Sequence, residues 1–185
     1  MKYEELFEPI LDNDEKIVEI FKPNFVRYVV LSSIFVIVFS IPFLLVGFLT
    51  VFNGDDSFIA GIVFLSVAAF LLLPMPLFNF VRYKKTAYCY TNKRVLIRTG
   101  FIGADFEAID FDMIGGMNVK VDFMDKLVKP NTGTIIFASP ASPMIQNGQS
   151  VGRAGYSFLH IENPYEVYKR VKEFSSKNKD GNFNS

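Results

Sequence analysis

Two apolar runs, residues 29–52 and 58–81, constrain everything else in this chain. Each holds 24 residues without one Asp, Glu, Lys, Arg or His. As α-helices they extend about 36 Å, against a hydrocarbon core of about 30 Å. A soluble domain can bury one such helix, but not two in succession joined only by Asn53-Gly54-Asp55-Asp56-Ser57. The pattern predicts a transmembrane hairpin with 53–57 as its loop. Lys16, Lys22 and Arg27 precede the first run, and Arg82, Lys84, Lys85, Lys93, Arg94 and Arg98 follow the second. The loop carries only Asp55 and Asp56. The positive-inside rule then predicts a multi-pass protein of a bacterial inner membrane, with both termini cytoplasmic. The first run starts too late and runs too long for a cleaved signal peptide, so it is expected to stay as an anchor.

Pro42 lies near the middle of the first run, and Pro74 and Pro76 near the cytoplasmic end of the second. Proline removes a backbone donor and kinks a helix. Transport chemistry normally needs ionisable groups within the membrane. These runs offer only Ser32, Ser33, Ser40, Thr50, Ser66 and Asn79, and two helices do not enclose a pore. An anchor is the expectation. Gly47, Gly61, Ala60, Ala68 and Ala69 are small enough to let helices approach closely.

What remains is room for one small domain. The zero net charge hides a division: residues 1–28 carry four Lys/Arg against seven Asp/Glu, and residues 82–185 fifteen against ten. An excess of about five positive charges beside a membrane points to anionic headgroups rather than nucleic acid, which calls for a denser basic stripe. The single cysteine, Cys89, excludes an internal disulfide and fits a reducing compartment. Its setting in Ala87-Tyr88-Cys89-Tyr90 predicts a packed thiol on a strand.

Residues 1–28 form an N-terminal cytoplasmic segment. Leu6, Phe7, Ile10 and Leu11 fall at helical spacing, and 15–21 is a short apolar patch. Lys22-Pro23-Asn24 breaks what precedes it. The segment is expected as a loosely ordered lead-in or a docking element. Beyond Arg82 the texture turns to short β-branched and aromatic stretches: 86–91, 95–99, 105–111, 117–123, 134–139 and 156–161. The clearest alternation is Met117, Val119, Val121 and Phe123 against Asn118, Lys120 and Asp122. Residues 139–155, rich in Ser, Pro, Gly, Gln and Asn, read as a long loop. Asn163-Pro164-Tyr165-Glu166 predicts a helix start with Asn163 as cap and Glu166 closing a capping box. A polar, disordered tail is expected over 175–185.

That order of elements resembles the bacterial pleckstrin-homology (PH) domain of small membrane proteins. The resemblance rests on Tyr90-Thr91-Asn92-Lys93-Arg94-Val95-Leu96-Ile97-Arg98-Thr99-Gly100, similar to that family's opening hairpin. It continues at Ile114, Val119-Lys120-Val121, Gly133-Thr134-Ile135 and Ile161-Glu162-Asn163-Pro164-Tyr165-Glu166-Val167. It covers residues 82–174 and implies an α+β fold: a small barrel of two orthogonal antiparallel sheets capped by a C-terminal helix, after two membrane helices. It implies no enzymatic activity, cofactor or small-molecule substrate.

Candidate sites are few. Arg82, Lys84, Lys85, Lys93, Arg94 and Arg98 are candidate contacts for anionic lipid, although topology alone accounts for those nearest the membrane. Arg94 and Arg98, four apart, share a strand face. His160 has only Tyr156 and Glu162 near it in sequence, too little for catalysis or a metal. Asp105, Glu107, Asp110 and Asp112 match no EF-hand spacing. Gly100-Phe101-Ile102-Gly103 lacks the Lys-Ser/Thr and helix of a phosphate loop. The expectation is a membrane-anchored, non-enzymatic module that binds a protein partner or itself. The alternatives are an anionic-lipid sensor and an accessory subunit of a transport or envelope-stress complex.

Overall fold

The computed structural model describes residues 3–52, 58–128, 130–140 and 156–182, with side chains in the last stretch as far as Asn178. The loop at 53–57 and most of the loop at 139–155 lie outside the described residues. The chain forms two compact units, Tyr28–Lys84 and a second built from Met1–Arg27 with Lys85–Ser185.

The first unit is a helical hairpin. A π-helical turn, Val26–Leu31, leads into α1, Ser32–Phe52. Pro74 has no amide hydrogen to donate, so the second run divides into α2, Phe58–Leu72, and α3, Pro74–Lys85. Pro42 is accommodated inside α1. The two continuous helices, Val26–Phe52 and Phe58–Lys85, are long and apolar enough to cross a membrane. Only 17% and 11% of their most apolar windows are buried, whereas the core helix of a soluble protein hides most of its surface.

The hairpin closes on small residues. Ser33, Ser40 and Gly47 are the buried positions of α1, and Gly61 and Ala68 those of α2, seven residues apart. That spacing keeps one stripe in contact with the partner along its length. Ala60 and Ala69 face outward instead. A Cβ on Gly61 would come within 2.6 Å of Thr50 Oγ1 and Val51 Cγ2. Asn79 adds a bond from Nδ2 to Ser33 Oγ, 3.0 Å. Gly61→Val is therefore expected to loosen the hairpin by about 1–3 kcal/mol through overpacking, while Ala60→Val has little effect. Detergent titration of a disulfide-trapped hairpin separates the two outcomes.

The second unit is α+β, with two antiparallel sheets and a C-terminal helix. Strands β1 Ile17–Phe21, β2 Ala87–Thr91, β3 Arg94–Thr99 and β4 Asp105–Asp110 form one sheet in that order. Strands β5 Gly116–Lys120, β6 Thr132–Ala138 and β7 Tyr156–Glu162 form the other. A single helical turn, α4 Phe123–Lys126, follows β5, and α5 Pro164–Asn182 ends the domain. The main core joins Tyr88, Tyr90, Val95, Ile97 and Ile109 of the first sheet to Ile135, Phe137, Phe158 and Ile161 of the second, with Val167 and Val171 of α5.

Three expectations need correction. Residues 1–28 are not a separate lead-in, because β1 pairs with β2 from Ile17↔Thr91 to Phe21↔Tyr88. The apolar positions at Leu6, Phe7, Ile10 and Leu11 form two 3-10 turns, Tyr3–Leu6 and Glu8–Ile10, rather than an α-helix. They cover the outer face of the first sheet, where Phe7, Ala87, Cys89 and Leu96 make a second core. The fully buried β2 is explained by this double cover. Second, α5 runs to Asn182, so residues 175–182 are helical rather than a disordered tail. Third, the alternation of β5 stops at Lys120, and Phe123 starts α4 as an exposed residue.

Candidate functional site

The Thr91-Asn92-Lys93-Arg94 turn of the β2–β3 hairpin is a clamp on the N-terminal segment. The Asn92 amide donates to the Lys16 carbonyl, 3.0 Å, and its Oδ1 accepts the Lys16 amide, 2.8 Å, while Nδ2 donates to the Asp14 carbonyl, 3.2 Å. Thr91 Oγ1 donates to Glu15 Oε1, 2.7 Å. Arg94 grips the same carboxylate with two donors, Nε at 3.0 Å and Nη2 at 2.7 Å, and reaches the Ile10 carbonyl. Burial pushes the Glu15 carboxyl up, but Arg94, Thr91 and the Asp12 amide together hold it below its ordinary value. Beneath this clamp Cys89 is buried, and loss of hydration pushes its thiol up to about 12, which makes it unreactive.

The six basic candidates fall into different settings. Lys93 lies 3.7 Å from Asp12 and is half-exposed. Arg94 is committed to Glu15, which leaves less of its charge for an external anion. At the other end of β3, Arg98 Nη1 donates to the Lys85 carbonyl, 3.2 Å, and its guanidinium rests over the Phe106 ring. Lys85 Nζ donates to the Ile102 carbonyl. Within α3, Arg82 and Lys84 lie over the rings of Phe78 and Phe80. The strand thus separates Arg94 from Arg98 by about 13 Å, four residues of β rise, with Lys93 and Lys85 beyond its two ends.

A second polar cluster was not legible from spacing. Asp125 on α4 is 1% exposed and receives Arg27 Nε at 2.6 Å and Thr132 Oγ1 at 2.9 Å. Its other oxygen accepts the Asp122 amide, 2.9 Å. His160 Nδ1 lies 3.3 Å from it. Asn24 completes the cluster: its amide donates to the His160 carbonyl, 2.7 Å, Nδ2 donates to Glu162, and Oδ1 caps the Arg27 amide, 3.0 Å. Burial raises the Asp125 carboxyl, but the Asp122 amide, Thr132 and Arg27 outweigh it and bring it below its ordinary value. Burial and the Arg27 charge lower His160, against the pull of Asp125. His160 sits at φ 53, a backbone conformation a non-glycine residue adopts only when its surroundings hold it. The arrangement locks three segments together and presents no nucleophile. Among the described residues, no group of three or more His, Cys, Asp or Glu is placed to hold a metal.

The remaining feature is a groove between β5 and α5. Strand β5 has β6 as its only strand neighbour among the described residues, so alternate backbone groups face away from the sheet. At one end a concavity of about 730 Å³ is lined by Val119, Lys120, Val121, Lys126, Pro164 and Tyr165, among others. At the other, about 310 Å³ lies between Gly115–Met117 and Tyr168, Lys172 and Ser176. Both share the β5 edge and the α5 face. By contrast, β4, an edge strand of the first sheet among the described residues, carries Asp105, Glu107 and Asp110, charges that oppose strand addition.

Two antiparallel sheets and a C-terminal helix make up the domain that carries these clusters. The chain belongs to the bacterial PH domain family, which matches residues 25–175. The clamp's N-terminal half, Asp12–Phe21, lies before that match. No curated protein matches the chain. Among solved structures it is similar to a DUF1696 family protein with a pleckstrin-homology domain from Shewanella loihica PV-4. The likeness has 9% identity and a TM-score of 0.43, over 95% of this chain and 98% of that one.

Proposed function

We propose that this protein is a non-enzymatic interaction module, anchored in a bacterial inner membrane with both termini cytoplasmic, that takes an extended segment of another chain onto β5. The observation that carries this reading is the β5 edge lying beside α5 in an open groove. An added strand satisfies the outward backbone groups of β5, and side chains at alternate positions fill the concavities at either end. Lys120, Lys126 and Lys172 against Glu166 give the groove a positive balance, which favours a segment bearing acidic residues.

The test places a photo-crosslinking residue at Tyr165, in the groove, or at Glu107, on the acidic edge, in the full-length chain in membranes. The expected result is a defined adduct from position 165 only, reduced by Lys120→Glu with Lys126→Glu. An adduct with a second copy marks self-association through the same edge. No adduct from 165, or equal adducts from both positions, sinks the reading.

A second reading, anionic-lipid sensing by Arg82, Lys84, Lys85, Lys93, Arg94 and Arg98, draws on the half-exposed Lys93. It requires anionic lipid that co-purifies with the full chain and leaves as ionic strength rises. Equal retention of neutral lipid counts against it.

A further inference from the structure

The β3–β4 turn breaks the rule that exposed turns are polar. The other hairpin turn of this sheet is Asn92-Lys93, whereas this one is Gly100-Phe101-Ile102-Gly103. Ile102 is 88% exposed, more than any other large apolar residue among the described residues, including those on the two long apolar helices. Phe101 is 40% exposed. The turn is built to present them. Gly100 adopts φ 148, and a Cβ there would lie 2.4 Å from the Gly103 carbonyl oxygen, so the loop closes tightly on its two glycines. An exposed apolar tip of this kind loses free energy in water and gains it in a lipid interface.

Where the turn sits decides between those surroundings. Ala87 pairs with Arg98, which brings Thr99 level with Thr86 and Gly100 level with Lys85. Lys85 Nζ donates to the Ile102 carbonyl, and Arg98 holds the Lys85 carbonyl. Lys85 is the last residue of α3, four beyond the end of the apolar run, or at most about 6 Å of helix rise. Headgroup regions add about 5–8 Å on each side of the hydrocarbon core. The turn is therefore tied to a residue inside the interfacial zone.

We propose that Phe101 and Ile102 insert into the headgroup–acyl boundary of the membrane, as an apolar contact that seats the domain on the lipid surface. This rests on the reading that the two long helices cross the bilayer. It differs from recognition of anionic headgroups because its driving force is apolar, so it persists at high ionic strength and in neutral lipid.

The test uses the full-length chain in nanodiscs of neutral phosphatidylcholine, with and without nitroxide-bearing lipid. A fluorophore is attached through Ile102→Cys, Asp112→Cys or Phe35→Cys, since the native Cys89 is buried. Asp112 is exposed and lies beyond the opposite end of β3, where Arg94 pairs with Asp110. Phe35 is exposed on α1 and reports the membrane helix by itself. The expected result is loss of fluorescence to nitroxide lipid at positions 35 and 102, unchanged by salt, and quenching by aqueous iodide at 112. If 35 responds to lipid while 102 behaves like 112, the insertion is refuted and the anchor reading stands. If neither 35 nor 102 responds to lipid, both fail. Shielding of 102 from lipid and iodide alike, growing with protein density, would assign the turn to a contact between copies and overturn the proposal.

Discussion

Glu15→Ala is expected to destabilise the domain by about 3 kcal/mol and to release β1 from its sheet, because it leaves Arg94 without its carboxylate. Arg94 remains partly exposed and regains some hydration, which keeps the cost at the lower end for a broken buried pair. The clamp fastens the chain at Ile10, Asp12, Glu15 and Lys16, and the two 3-10 turns just before it carry Phe7 into the core over Cys89. Its loss therefore uncovers a specific thiol. Wild-type Cys89 should resist maleimide, and the Glu15→Ala variant should react, with faster amide exchange through Ile17–Phe21. Arg94→Lys should fall between the two, since an ammonium does not reproduce the two-donor grip. A Cys89 that stays unreactive with a stability change under about 0.5 kcal/mol, the range of ordinary surface substitutions, would show that the clamp does not hold the N-terminal segment.

The clamp also explains what the sequence could and could not disclose. Thr91-Asn92-Lys93-Arg94 was recognisable as a pattern, and a basic hairpin invited a lipid reading. Its partners stand 76 or more positions earlier, across both long apolar helices, so no local periodicity couples them. For the same reason β1 was invisible as a strand: Ile17–Phe21 is short, and only β2 and the clamp give it a register. The two long helices and six of the seven strands among the described residues were legible because their apolar spacing is local. Where local pattern and tertiary contact disagree, the contact prevails. Val121 and Phe123 continue the alternation of β5, yet the Asp122–Asp125 bond and the hold of Arg27 on Asp125 turn the chain into α4 instead. His160 is a parallel case: Asp125, the carboxylate that its Nδ1 faces, is 35 residues away. The α5 start was legible because proline at the first helical position acts locally, whereas its extension through 175–182 runs against a polar composition that reads as tail.

Asp125→Ala should produce the larger loss, about 3–5 kcal/mol, because it takes the carboxylate away from the buried Arg27 guanidinium, whose side chain is 10% exposed. Thr132 Oγ1 and the Asp122 amide lose an acceptor in the same step. Adding Arg27→Met to Asp125→Ala should return part of the loss, since removing both charges is cheaper than orphaning one. Losses that simply add would mean that the pair is not coupled. Acid should reproduce the effect in two stages. His160 has its folded value below the ordinary 6.5, so the unfolded chain binds the proton first. Its contribution is complete above 6.5 and declines as pH falls from there toward the lowered folded value. Asp125 and Glu15 are also lowered, from 3.8 and 4.5, so their contributions are complete above those values and disappear as pH drops through the folded ones. Denaturation midpoints followed from neutral to acid pH should therefore begin to fall near 6.5 and fall again in the carboxylate range. His160→Gln should flatten the first stage and leave the second. A midpoint that rises on acidification would place the charged histidine, rather than the neutral one, in the native cluster.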